Sequence, residues 1–154
     1  KLVPDDVIIG IVSERVAQPD CANGFILDGV PRTIPQAEAL EAAGIHFDRV
    51  ISIEIEDAVI EARMTGRRVC GNCGASYHIA AHPPKVEGVC DACGKELVIR
   101  KDDAPETVKN RLKVFHAETE PLENFYEKLG VLKLVEGNQP IESATKDILA
   151  ALGV

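Results

Sequence analysis

Four of the five cysteines in this 154-residue chain fall into two C-x-x-C pairs, Cys70/Cys73 and Cys90/Cys93, with sixteen residues between them. That spacing is the one expected of four thiolates gathered on a single metal ion. Each pair is followed by a glycine, Gly74 and Gly94, which allows a tight backbone turn beneath a metal. Four sulfurs complete a tetrahedral Zn²⁺ and leave no position for water, so such a site is structural rather than catalytic. Two disulfides or free thiols are the alternative reading of the same residues. Cys21 has no partner in this pattern and reads as an ordinary thiol, and His78 and His82 read as loop residues near an already satisfied site.

A second set of side chains suits anion chemistry. Arg63 and Arg67 lie four apart and share a helix face, with Arg68 alongside; Arg100 stands just beyond the cysteine segment and Arg111 on the next helix. Both hinges of the segment therefore carry arginine. Guanidinium forks bind phosphate oxygens bidentately and keep their charge, which suits a phosphoryl group in transfer. Solvated helix faces paired with Glu61, Asp102 or Glu106 are the plainer alternative. The stretch "GFILDGVPRT" adds a third set. In open parallel sheets, ligands sit beyond the carboxyl ends of the strands. Asp28 at such an end is suited to orient Mg²⁺ through water, as a Walker-B acid does. Arg32 would then reach a phosphate, and Gln36 offers an amide able to pair with a nucleobase edge.

These residues need a scaffold to position them. "PDDVIIGIVSERVAQ" has helical apolar spacing and an acidic first turn, while Phe25, Ile26 and Leu27 form an uninterrupted apolar run expected of a strand covered on both faces. Helices are expected over "IPQAEALEAAG" and "EDAVIEARMTG", stopped by Gly44 and Gly66, with the strand "RVISIEI" between them. Asp103 and Glu106 are spaced as a capping pair for a helix entered by Pro105. A helix opened by Pro121, the strand "VLKLVEG" and the amphipathic "IESATKDILAAL" complete the pattern. Strands alternating with helices around an odd insert indicate an α/β fold with a parallel sheet.

The totals narrow the chemistry. A net charge of −8 provides no broad basic face for a nucleic-acid backbone, so an anionic ligand must be held by a local arginine cluster. No apolar run reaches the eighteen residues of a membrane span, and the start has no secretory pattern, so a cytoplasmic, reducing setting is expected.

The chain resembles the adenylate kinases, in particular bacterial long forms with a zinc-bearing lid. The segments "KLVPDD", "ERVAQPDCANGFILDGVPRTIPQAEAL", "TGRRVCGNCGASYHIAAHPPKVEGVCDACG", "RKDDAPETVKNRL" and "EGNQP" carry the resemblance in order. It implies a P-loop NTPase-like parallel sheet with flanking helices, a core of residues 1–66 and 104–154 in which 1–18 belong to the AMP-binding region, and a zinc-binding lid over 67–103. It also implies reversible phosphoryl transfer, ATP plus AMP giving two ADP with Mg²⁺. Leu2, Val3, Gly29, Arg32 and Gln36 would bind AMP, and Arg63, Arg67, Ser76, Tyr77 and Gln139 would lie on the ATP side. Arg100 and Arg111 would clamp the moving phosphates. Val30 stands where the family more often has phenylalanine. The family's glycine-rich phosphate loop and its lysine would precede "KLV"; the chain is therefore expected to be a form incomplete at the N-terminus, poorly active or inactive alone, whose open sheet edge invites pairing with a second copy. A zinc-ribbon binding module or a different nucleoside monophosphate kinase are the competing readings.

Overall fold

A computed structural model describes residues 3–154, so Leu2 lies outside the described residues. The chain divides into two compact units. One takes the segments ending at Ser52, Val114–Val135 and Glu142–Val154; the other takes Ile53–Lys113 with Glu136–Ile141.

The first unit is mainly helical. Helix α1 (Asp5–Val16) follows Pro4 and carries Asp5 and Asp6 in its first turn, where the helix dipole favours negative charge. Helix α2 (Ile34–Ala42) is capped by Thr33, whose hydroxyl oxygen accepts from the Gln36 amide at 3.3 Å. It ends where Gly44 takes a φ of +78°, and the Ile45 amide then returns to the Leu40 carbonyl at 3.0 Å. These turns aim α1 and α2 at one another. Val12, Leu40 and Ile45 pack with Ile8, Val16, Leu27 and Phe47. Phe47 also joins a neighbouring cluster of Ala37, Leu122 and Tyr126, to which helix α5 (Pro121–Lys128) contributes. The unit thus has one continuous apolar interior.

Strands β1 (Val50–Glu54) and β5 (Leu132–Glu136) form a two-stranded sheet. The Val50 amide donates to Val131 at 3.0 Å and the Gly137 amide to Glu54 at 2.8 Å. Both strands advance together between those bonds, so the pair is parallel, as the βα alternation requires. Helix α6 (Ile141–Leu152) closes the chain. One expected strand does not form. Phe25–Leu27 is irregular backbone, and Ile26 is 91% exposed. An apolar run becomes a strand only when a neighbour supplies the ladder, and among the described residues none pairs with it.

In the second unit, helix α3 (Asp57–Thr65) passes through Gly66 alone into β2 (Arg67–Cys70). Strands β3 (Ser76–His78) and β4 (Leu97–Val98) pair antiparallel on either side of β2. His78, expected in a loop, is therefore the last residue of a strand, opposite Arg67. A short turn over Lys101–Asp103 leads into helix α4 (Pro105–Val114), which buries Val108 and Leu112. Asp103 does not cap α4 as its spacing suggests. It is wholly buried and its carboxylate is taken by Arg67, an ionic partner that outcompetes a backbone amide. A five-residue π turn, Phe115–Thr119, follows α4 in the chain. Among the described residues no helix is long and apolar enough to cross a membrane.

Candidate functional site

The two C-x-x-C-G segments fold into near-identical loops. The Gly74 amide donates to the Cys70 carbonyl at 2.9 Å, and the Cys70 amide to Ala75 at 2.9 Å. The Gly94 amide donates to Cys90 at 2.8 Å, and the Cys90 amide to Lys95 at 2.8 Å. Gly74 and Gly94 adopt φ of +77° and +69°, a region that admits glycine without strain. The matching loops face each other, and all four Sγ atoms lie within 4.8 Å of one another. Cys70 and Cys93 are 3.4 Å apart, Cys73 and Cys90 3.5 Å, far beyond a disulfide bond. The amides of Cys73 and Asn72 lower the Cys70 thiol. The Tyr77 hydroxyl draws Cys90 down to about 6, with the Cys93 and Ala92 amides adding to it. For Cys73 the Ala75 amide favours the thiolate, but the neighbouring Cys90 and Cys93 sulfurs win and push it up to about 12. So many sulfurs this close cannot all ionise against one another; a cation at their centre removes the conflict. The donor set fits a metal ion.

Tyr77 is buried beneath this cluster. Its hydroxyl oxygen accepts from the Asp91 amide at 2.9 Å and lies 3.5 Å from the Cys90 sulfur, while its ring stacks on His82. The adjacent Ser76 is exposed on β3.

Three arginines of the second unit, Arg67, Arg100 and Arg111, act on one acid. Arg67 makes a two-pronged contact with Asp103, Nε to Oδ2 at 2.8 Å and Nη2 to Oδ1 at 2.5 Å. Asp103 is held below the ordinary carboxylate value of 3.8, first by that hydrogen bonding and then by the charges of Arg67, Arg100 and Arg111. Arg67 is bonded to this buried carboxylate, and Arg100 and Arg111 act on it by charge alone. Arg100 also pairs with Asp102 at 3.5 Å on the surface. Arg63, on the last turn of α3, reaches the loop after β5 instead, with Nη1 to the Gly137 carbonyl at 3.4 Å and Nη2 to Asn138 at 3.3 Å. Gln139 sits in that same loop, its amide donating to the Glu136 carbonyl at 2.7 Å. Arg68 caps the helix end, donating at 2.8 Å to the carbonyls of Thr65 and Arg67.

In the first unit, the loop before α2 brings Gly29, Arg32 and Gln36 together. Arg32 Nε donates to the Gly29 carbonyl at 2.8 Å. Gly29 has a φ of +74°, and a Cβ there would come within 3.0 Å of the Arg32 guanidinium, so backbone and space both call for glycine. Gln36 is 4% exposed and its amide is occupied: Oε1 accepts from the Arg32 amide and Nε2 donates to Asp5, each at 2.8 Å. Thr119, at the end of the π turn, donates to the Arg32 carbonyl at 2.8 Å. Asp28 and Val3 are exposed.

Two acids carry contacts that the sequence does not reveal: Asp103 holds Arg67, and Asp5 holds Gln36. Asp103 read as a cap and Asp5 as a dipole partner. The available signal was an acid close to Arg100 and in reach of Arg111, a weak one because exposed acids are common at helix starts.

Comparison with known proteins agrees with the sequence resemblance. The family model described as adenylate kinase matches residues 1–131. The chain is 52% identical to the adenylate kinase of Lachnospira eligens, over 99% of the chain and 74% of that protein. It is 54% identical to the adenylate kinase of Carboxydothermus hydrogenoformans, over 99% and 73%. With the adenylate kinase of a Geobacter species it shares 52%, over 98% and 72%.

Proposed function

The chain belongs to the adenylate kinase family, whose reaction is reversible phosphoryl transfer, ATP plus AMP giving two ADP; from that premise we propose how its own residues divide the work. Arg67, Arg100 and Arg111 receive the phosphates in transfer. The two-pronged contact of Arg67 with the buried Asp103 is the observation that carries this reading. That buried carboxylate fixes the guanidinium of Arg67 through two hydrogen bonds, and Asp102 pairs with Arg100. A polyphosphate entering there meets one guanidinium already oriented, which lowers the reorganisation needed as charge shifts in the transition state.

Arg63, with the loop holding Gln139, serves the ATP side, joined by Ser76 and Tyr77 of the insert. Tyr77 contributes through its backbone and ring, because its hydroxyl is committed to Asp91 and Cys90. On the AMP side, Gly29 gives Arg32 its approach and Gln36 reads the base, exchanging its bond to Asp5 for one to the adenine edge. Val3 lines the same region. Asp28, exposed beside Gly29, orients Mg²⁺ through water. Residues 67–103 act as a lid on a core formed by 1–66 and 104–154.

We assign the four-sulfur site to zinc. A tetrahedron with metal–sulfur bonds of ~2.3 Å has sulfur–sulfur edges of roughly 3.8 Å. The cross-loop pairs at 3.4 and 3.5 Å approach that value. Bound there, zinc supplies rigidity and no open coordination position. Cys70, Cys73, Cys90 and Cys93 would hold it as thiolates, and Tyr77 and the loop amides would stabilise that charge.

The test is calorimetry with a bisubstrate analogue, two adenosines joined by a polyphosphate. Binding by the parent chain, weakened at least tenfold by Arg111→Ala, supports the assignment. No binding to a zinc-loaded, folded chain overturns it.

A further inference from the structure

The passage from α3 to β2 is a single residue, Gly66, and it separates the two arginines Arg63 and Arg67. A junction this short transmits any rotation of the helix directly into the strand, so something must fix it. His78 lies across the ladder from Arg67, and its imidazole folds over the junction. Nδ1 is approached by the amides of Ala80 at 3.1 Å and Ala81 at 3.0 Å, and Nε2 lies 3.3 Å from the Ala62 carbonyl. The partners settle the tautomer. Backbone amides can only donate, so Nδ1 accepts; a carbonyl can only accept, so Nε2 carries the hydrogen. One ring therefore adds a second donor to the Ala62 carbonyl, which already accepts from the Gly66 amide at 3.1 Å, and organises the turn that leaves β3.

Gly66 confirms how closely the ring is seated. A Cβ at this position would overlap His78 Nε2, lie 2.6 Å from Cε1 and 2.9 Å from the Ala62 carbonyl. Yet Gly66 has an ordinary φ of −77°, so its backbone would accept alanine. Glycine is required here by the imidazole and the carbonyl beneath it. The Ile79 amide adds a further tie to the Gly66 carbonyl at 3.0 Å.

We propose that His78 is a positioning residue for the phosphate-binding arginines: its imidazole clamps the one-residue junction between α3 and β2 and so fixes Arg63 and Arg67 relative to each other. The phosphate role of those arginines rests on the reading given above; the clamp itself does not. Three chains are compared with the parent. His78→Phe keeps a ring but no polar atoms, His78→Gln keeps a donor and an acceptor, and Gly66→Ala displaces the imidazole from the other side. Cobalt substituted into the thiolate site reports, by its sulfur charge-transfer bands, that β2–β4 remain folded in each.

The first readout is hydrogen exchange at Arg67 Nε–H, which is bonded to Asp103, and at the Ala80 and Ala81 amides. Exchange should quicken about tenfold in His78→Phe and in Gly66→Ala, and His78→Gln should recover most of it. The second is calorimetry: ATP should bind about tenfold more weakly to the first two variants, with AMP unchanged. Unaltered Arg67 exchange in a cobalt-competent His78→Phe or Gly66→Ala overturns the proposal, as does unaltered ATP affinity where the parent binds ATP. If the parent binds no ATP, the assignment of the phosphate site fails, and Arg67 exchange alone decides the clamp.

Discussion

The helical unit and the cysteine-bearing sheet are stabilised by opposite means. Around α1, α2 and α5 the interior is hydrocarbon and aromatic: Leu40 and Ala37 are fully buried, and Phe47 and Tyr126 meet edge to face with centroids 6.0 Å apart. Around β2–β4 the buried cluster is only Cys70, Tyr77, Cys90 and Leu97, and two of those are metal-ligand candidates. So small a set cannot offset the entropy of ordering the segment by apolar burial alone. The sheet has a four-cysteine cluster able to hold a metal ion where the helical unit has packing. The difference means that one chemical perturbation should separate the two.

Metal removal is the sharpest such perturbation. Chelation, or Cys90→Ser, should abolish hydrogen-exchange protection across β2–β4, a loss of about 10 kcal/mol at neutral pH by analogy with other structural zinc sites. Protection in α2 and α5 should survive; simultaneous loss in both regions would erase the distinction. The converse experiment is Leu40→Ala. Leu40 is fully buried against Val12 and Ile45, so truncation should cost about 4 kcal/mol in denaturant titrations of the helical unit. Zinc content should not change.

A smaller effect tests whether the arginine cluster behaves like either region. Arg67→Met leaves Asp103 buried with its bidentate partner gone, although Arg100 and Arg111 still act on it. We expect about 2 kcal/mol, below the usual value for a broken buried pair because the Arg67 side chain is 36% exposed. The pair also carries a pH signature. Asp103 is depressed in the folded chain, so its contribution is full above the ordinary carboxylate value of 3.8 and disappears as pH falls through the lowered folded value. The acid limb of the parent stability curve should therefore flatten in Arg67→Met. The smallest change is at the start of α2, where Thr33→Ala removes the cap on the Gln36 amide and should cost about 1 kcal/mol, measured as a shift in Tm.

Legibility in the sequence followed the range of the interactions involved. The two glycine-ended cysteine loops were readable because each is closed by bonds within six residues, from Cys70 to Ala75 and from Cys90 to Lys95. Helix ends at Gly44 and Gly66 are readable for the same reason. The "FILD" run was misassigned as a strand because a ladder is a property of two segments, and composition reports only one. The place of His78 is not legible in the sequence because its partners, Ala62 and the Arg67 strand position, are remote in the chain.

The residue types and spacings by themselves determined the cysteine loops able to hold a metal ion, the helical segments, the family and which charged groups the chain carries. Tertiary structure alone decided which of those groups act together: Arg67 with Asp103 across thirty-six residues, Arg63 with Asn138 across seventy-five, Gln36 with Asp5 across thirty-one. The reason is physical. Local hydrogen bonds and backbone preferences are written into neighbouring residues, whereas the pairing of a buried charge depends on which distant partner the folded chain delivers once water has been excluded.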